Sequence, residues 1–406
     1  MSERLLTETR RTRRIYTRFI QLCAVAFFCG VAAYRTAVTF NTNGDLLKFN
    51  ALILETVREN PKTEFKPLLT DDIKDEWKRE LFGRLDEIRK KAGALCSIND
   101  FESFKAHLVS NPDAPVPPEG GIDVNATLED IDFPPHLEAP VDCDSLFELD
   151  QIDAGDTSVP EKPPEELMQF YTVGGLVPFG FMKILKNIYM GSNAMTNVWT
   201  EAEIEQQMNL TLRGLNKGTY SQRSTNALFK LAREDLNLTG ASVLVIGSER
   251  PWVEVIAILA GAANVTTLEY GAIESHHPKI RTMTPSVFRA AYQKGDLSSD
   301  SFDAVISYSS LEHSGLGRYG DALNPWGDIL SLARAWCVTK NGGSLVVDVP
   351  GGSDRVVWNR HRTYGRYRWP LLTINWAPVG KYAWNQRRNI YTRIFKKLPS
   401  QKWHKK

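Results

Sequence analysis

Between residues 242 and 349 short apolar runs alternate with stretches whose apolar residues recur every three or four positions. The runs predict strands over 242–246, 265–269, 279–283, 302–307 and 344–349, and the intervening periodicity predicts helices over 251–262, 285–294 and 328–337. Strands separated by helices of this length indicate βαβ units and a mostly parallel sheet. A helix through 227–233, capped by Ser221 or Thr225, feeds the first strand, and two further runs, 369–376 and 389–395, are expected to complete the sheet. The fold class is α/β, a Rossmann-like doubly wound sheet.

The first half of the chain has a different grain. Residues 19–34 are apolar on every side, six arginines precede them and Arg35 follows. As a helix the run rises ~24 Å, which flanking arginines can extend towards the ~30 Å of a bilayer core. The expectation is a basic cytosolic tail over 1–18 and a type II signal-anchor over 19–34, in the Golgi or another secretory membrane; the alternative is a cleaved signal and a secreted protein. Residues 35–110 read as a helical stem, in which Ile73, Trp77, Leu81, Leu85 and Ile88 form one apolar stripe. Residues 111–166 are rich in Pro, Asp and Glu and read as an extended linker, 167–235 as a helical extension, and 236–406 as the Rossmann-like domain.

Charge is polarised along the chain. Residues 113–166 hold sixteen acids and one lysine, whereas 355–406 hold fourteen Lys or Arg and no acid, so the net charge of +1 is a cancellation. Outside the apolar run the cysteines are Cys96, Cys143 and Cys337, and in an oxidising compartment Cys96 with Cys143 is the expected pair, leaving Cys337 buried. Sequons for N-glycosylation stand at Asn125, Asn209, Asn237 and Asn264.

Ligands of a doubly wound sheet bind beyond the carboxyl ends of its strands. Gly247 and Ser248 end the first strand there, and Glu269 ends the second at the distance from which an acid accepts ribose hydroxyls. The fourth strand runs through Ser309 into the loop Glu312, His313, Arg318, Tyr319, Asp321, Asn324 and Asp328. His313 could serve as a general base with Glu312 or Asp321 orienting it; the alternative is a loop-stabilising network with Asp328 as a helix N-cap. No short metal-ligand spacing occurs, so no metal is expected. Beyond the fifth strand Asn359, His361 and Arg362, with Arg318, lie where a substrate-facing basic lid would hang, suited to a glycan or another anionic acceptor. A luminal address argues against nucleic acid.

Three segments, Val243 to Glu254, Leu311 to Asp321 and Asn324 to Asp328, resemble the class I S-adenosylmethionine-dependent methyltransferases, and more closely a nematode-rich family called domain of unknown function 268. The resemblance runs from about Thr219 to Lys397. It implies a methyltransferase-like fold, with S-adenosylmethionine held by Gly247, Ser248, Glu269 and Ser309, and transfer of a methyl group to an oxygen, with a glycan as the expected acceptor. The chain departs from the methyltransferase pattern in having Val245 where an acid usually stands and one glycine, Gly247, where several do. That departure motivates a second expectation, an inactive scaffold or binding module of the same fold. A nicotinamide enzyme is disfavoured because the Gly-x-Gly-x-x-Gly fingerprint is absent.

Overall fold

The structure, a computed structural model, describes residues 67–97, 137–150, 160, 162–180, 196–319, 321–385 and 390–397. The expected anchor, the cytosolic tail and the sequon at Asn125 lie outside these residues. Among the described residues no helix is long and apolar enough to cross a membrane.

Seven strands form the central sheet: β1 Ser242–Ile246, β2 Asn264–Leu268, β3 Ile280–Met283, β4 Phe302–Tyr308, β5 Thr339–Pro350, β6 Trp376–Asn385 and β7 Ile390–Lys397. Their spatial order is β6-β7-β5-β4-β1-β2-β3. The first five are mutually parallel, while β7 runs antiparallel to both β5 and β6. The chain winds outward from β1 to β3, then returns to lay β4 on the other side of β1. This reversal opens a crevice between the carboxyl ends of β1 and β4, where neither outgoing connection covers the sheet.

Strand alternation sorts the core into two layers. Val243 and Val245 of β1 join Ala304, Ile306 and Val346 on one face, and Leu244 and Ile246 join Val305, Leu345 and Val347 on the other. In chain order the larger helices are α1 Glu76–Ala92, α2 Cys143–Glu148, α3 Glu165–Tyr171, α4 Glu201–Leu212, α5 Gln222–Glu234, α6 Trp252–Leu259, α7 Pro285–Gln293 and α8 Gly327–Cys337. Buried residues of α4, α5 and α6 cover the first face; those of α1, α2, α3, α7 and α8 cover the second. Ser221 caps α5 through the amide of Ser224, as its position before the apolar stripe predicts.

Four expectations are corrected. In α1 the packed stripe is Leu81, Phe82, Leu85 and Ile88, while Trp77 is 44% exposed. Only one end of α1 meets the core, so its first turn stays in water. The described part of the acidic stretch, 137–150, is not solvated linker: Leu137, Ala139, Leu146, Phe147 and Leu149 are buried in the second layer. Its acids face outward, and its apolar residues are what the sheet receives.

The disulfide joins Cys143 to Cys337, with Cα atoms 5.7 Å apart, and leaves Cys96 as a buried free thiol. The pairing follows from α2 lying against the carboxyl end of α8, where Arg334 donates to the carbonyls of Leu146 and Leu149. Finally, 369–376 is not a strand. Arg368–Leu372 forms a short helix, α9, and β6 starts only at Trp376. The run is apolar because it is buried on all sides, a pattern that periodicity cannot tell from a core strand.

Candidate functional site

The crevice at the reversal point is a real cavity. It has a volume of about 140 Å³ and is walled by Tyr220, Gly247, Ser248, Glu249, Trp252, Glu269, Tyr270, Tyr308, Ser309, Ser310, His313 and Tyr319 among others. A smaller hollow of about 50 Å³ adjoins it through Gly247, Glu269, Tyr270 and Ser310, and is otherwise lined by the apolar Ile246, Leu268, Pro285 and Phe288 with Ser314, Ser331 and Arg334. Trp252 forms one wall instead of filling the space, its ring edge-on to Tyr308 at 4.9 Å. Among the described residues neither lysine nor arginine lines the larger cavity.

The turn after β1 is built around hydrogen bonds to acids. Gly247 takes φ +75° and donates its amide to the carbonyl of Leu268. A Cβ there would lie 1.7 Å from Ser310 Oγ, so glycine is demanded by the β4 loop packed against the turn. Ser248 donates its amide to Glu269 Oε2 at 2.8 Å, and Tyr270 donates to Oε1 at 2.8 Å. Glu269 also lines the cavity. Burial raises its pKa and these amides oppose the rise.

Behind the turn sits an acid that the sequence reading passed over. Glu254 is fully buried in α6, accepts from Ser248 Oγ at 3.1 Å and from Thr267 Oγ1 at 2.8 Å, and is pushed up to about 7 by burial. A single acid in the otherwise apolar run Trp252–Leu259 was a legible sign. Tyr220, also unforeseen, enters from the α4–α5 connection and carries no local signature.

On the β4 side Ser309 is held at φ +53°, a costly conformation for a residue with a Cβ. Its amide donates to the carbonyl of Asp348 at 2.7 Å. Its hydroxyl accepts from Tyr220 and donates to Glu312 Oε1, giving a chain from the cavity rim to a buried carboxyl. Burial pushes Glu312 up to about 8, so it is mostly protonated at neutral pH, and its Oε2 has no hydrogen-bond partner.

His313 lines the cavity, but its orientation differs from expectation. Nδ1 bonds the carbonyl of Arg360, which fixes the N–H there and leaves the lone pair on Nε2, 3.7 Å from Glu312 Oε1. Burial, with Arg318 and His361 nearby, pushes His313 down to about 3, so it is neutral and weakly basic near pH 7. Asp321 does not orient it. That carboxylate instead gathers the amides of Gly315, Leu316, Gly317 and Tyr319 at 2.6–3.1 Å and folds the loop on itself.

The expected basic lid is largely interior. Arg362 is fully buried, with Nε 3.5 Å from Asp328 Oδ2 and Nη2 3.3 Å from the carbonyl of Pro325, so it cannot meet a substrate. Asp328 is not the N-cap of α8, a position held by Trp326; it accepts from Tyr364 Oη at 2.8 Å. Asn359, at φ +52°, spends its side-chain amide on the carbonyl of Leu316. Arg318 donates to the carbonyl of Arg360 at 3.4 Å and lies 5.3 Å from the Tyr319 ring centre. His361 stands 6.4 Å from His313, ring to ring, and burial and neighbouring arginines push it down to about 4. Among the described residues no cluster suits a metal ion.

Residues 240–405 match the model of the family described as Caenorhabditis protein of unknown function, DUF268. No curated protein matches the sequence. Among solved structures, similar ones include a candidate hemolysin from Lactococcus lactis (13% identity, 45% of this chain and 89% of that one, TM-score 0.31). Others are an S-adenosylmethionine dependent methyltransferase from Mesorhizobium loti (13%, 42% and 97%, TM-score 0.29) and the CurJ carbon methyltransferase (10%, 48% and 60%, TM-score 0.32).

Proposed function

We propose that this protein is an S-adenosylmethionine-dependent methyltransferase acting on a hydroxyl oxygen, with a sugar of secretory-pathway glycans as acceptor and the segment 19–34 as its membrane anchor. The observation that carries the reading is the open cavity at the β1/β4 reversal with Glu269 at its floor. The residues fit a nucleoside chemically. Glu269 offers acceptors to a ribose diol, and the adjoining hollow of Ile246, Leu268, Pro285 and Phe288 offers apolar surface to a flat base. Glu249, exposed at the cavity wall, brings a negative charge that suits the cationic end of such a ligand.

S-adenosylmethionine, when bound, supplies the methyl group. The chain supplies orientation and a place for the acceptor's proton. His313 is too weak a base for this task, whereas Glu312, pushed up to about 8, has the proton affinity. Transfer would break the methyl–sulfur bond of the sulfonium and release the thioether, and in it Ser309 Oγ would accept the acceptor's hydroxyl proton while passing its own to ionised Glu312. The rate then rises with pH up to about 8, as Glu312 ionises. The absence of lysine and arginine from the cavity wall among the described residues favours a neutral sugar over a phosphate or sulfate ester.

A second reading, an inactive scaffold, draws on Val245 in place of an acid and on Gly247 serving Ser310 and not a ligand. Calorimetry on the full chain separates the two. Saturable binding of S-adenosylmethionine at or below millimolar ligand, lost in Glu269→Ala, supports the enzyme; no heat with the folded wild type supports the scaffold.

A further inference from the structure

We infer that Asn237 is an N-glycosylation site, and that this domain matures in an oxidising, glycosylating compartment with its glycan at the amino end of the parallel strands, opposite the cavity. The inference is independent of methyl transfer. It begins with the connection between α5 and β1. Leu236 and Leu238 are buried on either side of Asn237, and this alternation turns the Asn237 side chain outward, with Thr239 exposed beside it. The other described sequons differ in one respect. Asn209 and Asn264 are exposed, but Thr211 and Thr266 are buried, with Thr211 Oγ1 bonded to the carbonyl of Gln207 and Thr266 Oγ1 accepting from Arg281. A glycan on Asn237 displaces nothing that the fold uses.

Position adds a second argument. Asn237 precedes the amino end of β1, close to the α6–β2 turn, where Gly240 donates to the carbonyl of Gly261. The cavity lies beyond the carboxyl end of β1. A five-residue strand separates the two by roughly 17 Å at ~3.3 Å per residue, so a glycan at Asn237 leaves the cavity open to a bulky acceptor.

The disulfide is the independent observation. Cys143 and Cys337, 194 residues apart in sequence, are bonded across two packed helices, and such bonds form and persist in secretory compartments. The contact is anchored by Arg334 on two carbonyls of the 137–150 segment, so it is part of the packing and not a chance approach of two surface thiols.

The test is peptide mapping of the full chain made in a cell with intact secretory glycosylation. The Asn237 peptide should carry a glycan, released by peptide N-glycosidase with conversion of the asparagine to aspartate. Thr239→Ala should abolish this modification and Thr239→Ser should keep it. Alkylation of the denatured, unreduced chain should label Cys96 but leave Cys143 and Cys337 unlabelled. An unmodified Asn237 peptide in folded wild-type chain overturns the glycan assignment, and alkylation of Cys143 and Cys337 to the extent of Cys96 overturns the compartment. Either result leaves the binding of S-adenosylmethionine to be read separately.

Discussion

The turn after β1 and the loop after β4 are both crowded with polar residues, and they use them in opposite ways. In the loop, Asp321 is consumed by four backbone amides, and buried Asp328, which does not line the cavity, turns its Oδ2 to Tyr364 and Arg362, so its charges build the protein. In the turn, Glu269 accepts two amides and still faces a cavity, and Glu249 has solvent in front of it. Density of polar residues therefore does not mark a site. What marks it is acceptor capacity left over after the backbone has been served.

The largest expected effect breaks the structural side of the comparison. Asp328→Ala leaves Arg362 buried without its carboxylate and should cost about 3–5 kcal/mol in urea unfolding. Replacing both residues by apolar ones of similar volume should cost less than that single change. Little loss in Asp328→Ala would mean that the pair is not buried as described.

Gly247→Ala sharpens the other side. The added Cβ meets Ser310 Oγ and the φ of +75° is unfavourable, so stability should fall by about 1–3 kcal/mol and affinity for S-adenosylmethionine with it. Ser310→Gly in the same chain should restore part of the loss, since it removes the atom in the way. Absence of any recovery would locate the demand for glycine elsewhere.

The buried titratable groups give a pH dependence with a definite sign. The folded pKa of Glu312, about 8, lies above the ordinary 4.5, so its contribution is full below 4.5 and is lost as pH rises to about 8. His313, held near 3 against an ordinary 6.5, acts in the other sense, and its contribution is complete above 6.5. Between about pH 6.5 and 8 only the falling limb remains, shared with the early part of Glu254, which is complete by about 7. Glu312→Gln should flatten that limb in denaturation curves taken across this range. An unchanged slope would contradict the burial of Glu312.

Tyr220→Phe should have the smallest effect on folding, within about 1 kcal/mol, because the ring is 44% exposed and one hydrogen bond is lost. Thermal unfolding checks this. A large drop would make Tyr220 part of the core and not of the rim.

The alternation of strands and helices from 242 to 349 was legible because each βαβ unit carries its own periodicity, and Glu269 and Ser309 were legible because strand ends are where such sheets bind ligands. The basic segment misled because a run of arginines says nothing of which carboxylates and carbonyls wait for it across the fold; Arg362 meets Asp328, 34 positions earlier in the chain. Composition hid the packing of 137–150 in the same way. Its acids dominate the count, while Leu146 and Phe147 decide where it goes. Tyr220 could not be anticipated, since it reaches the cavity only through the return of the α4–α5 connection.

The central claim is that the cavity beside Glu269 holds a nucleoside. A crystal structure of the full chain with S-adenosylhomocysteine tests it most directly. The account predicts the ribose hydroxyls within hydrogen-bonding distance of the Glu269 carboxylate and the base in the hollow of Leu268, Pro285 and Phe288. Ligand bound elsewhere on the protein, or a cavity that stays empty at saturating ligand, would contradict it.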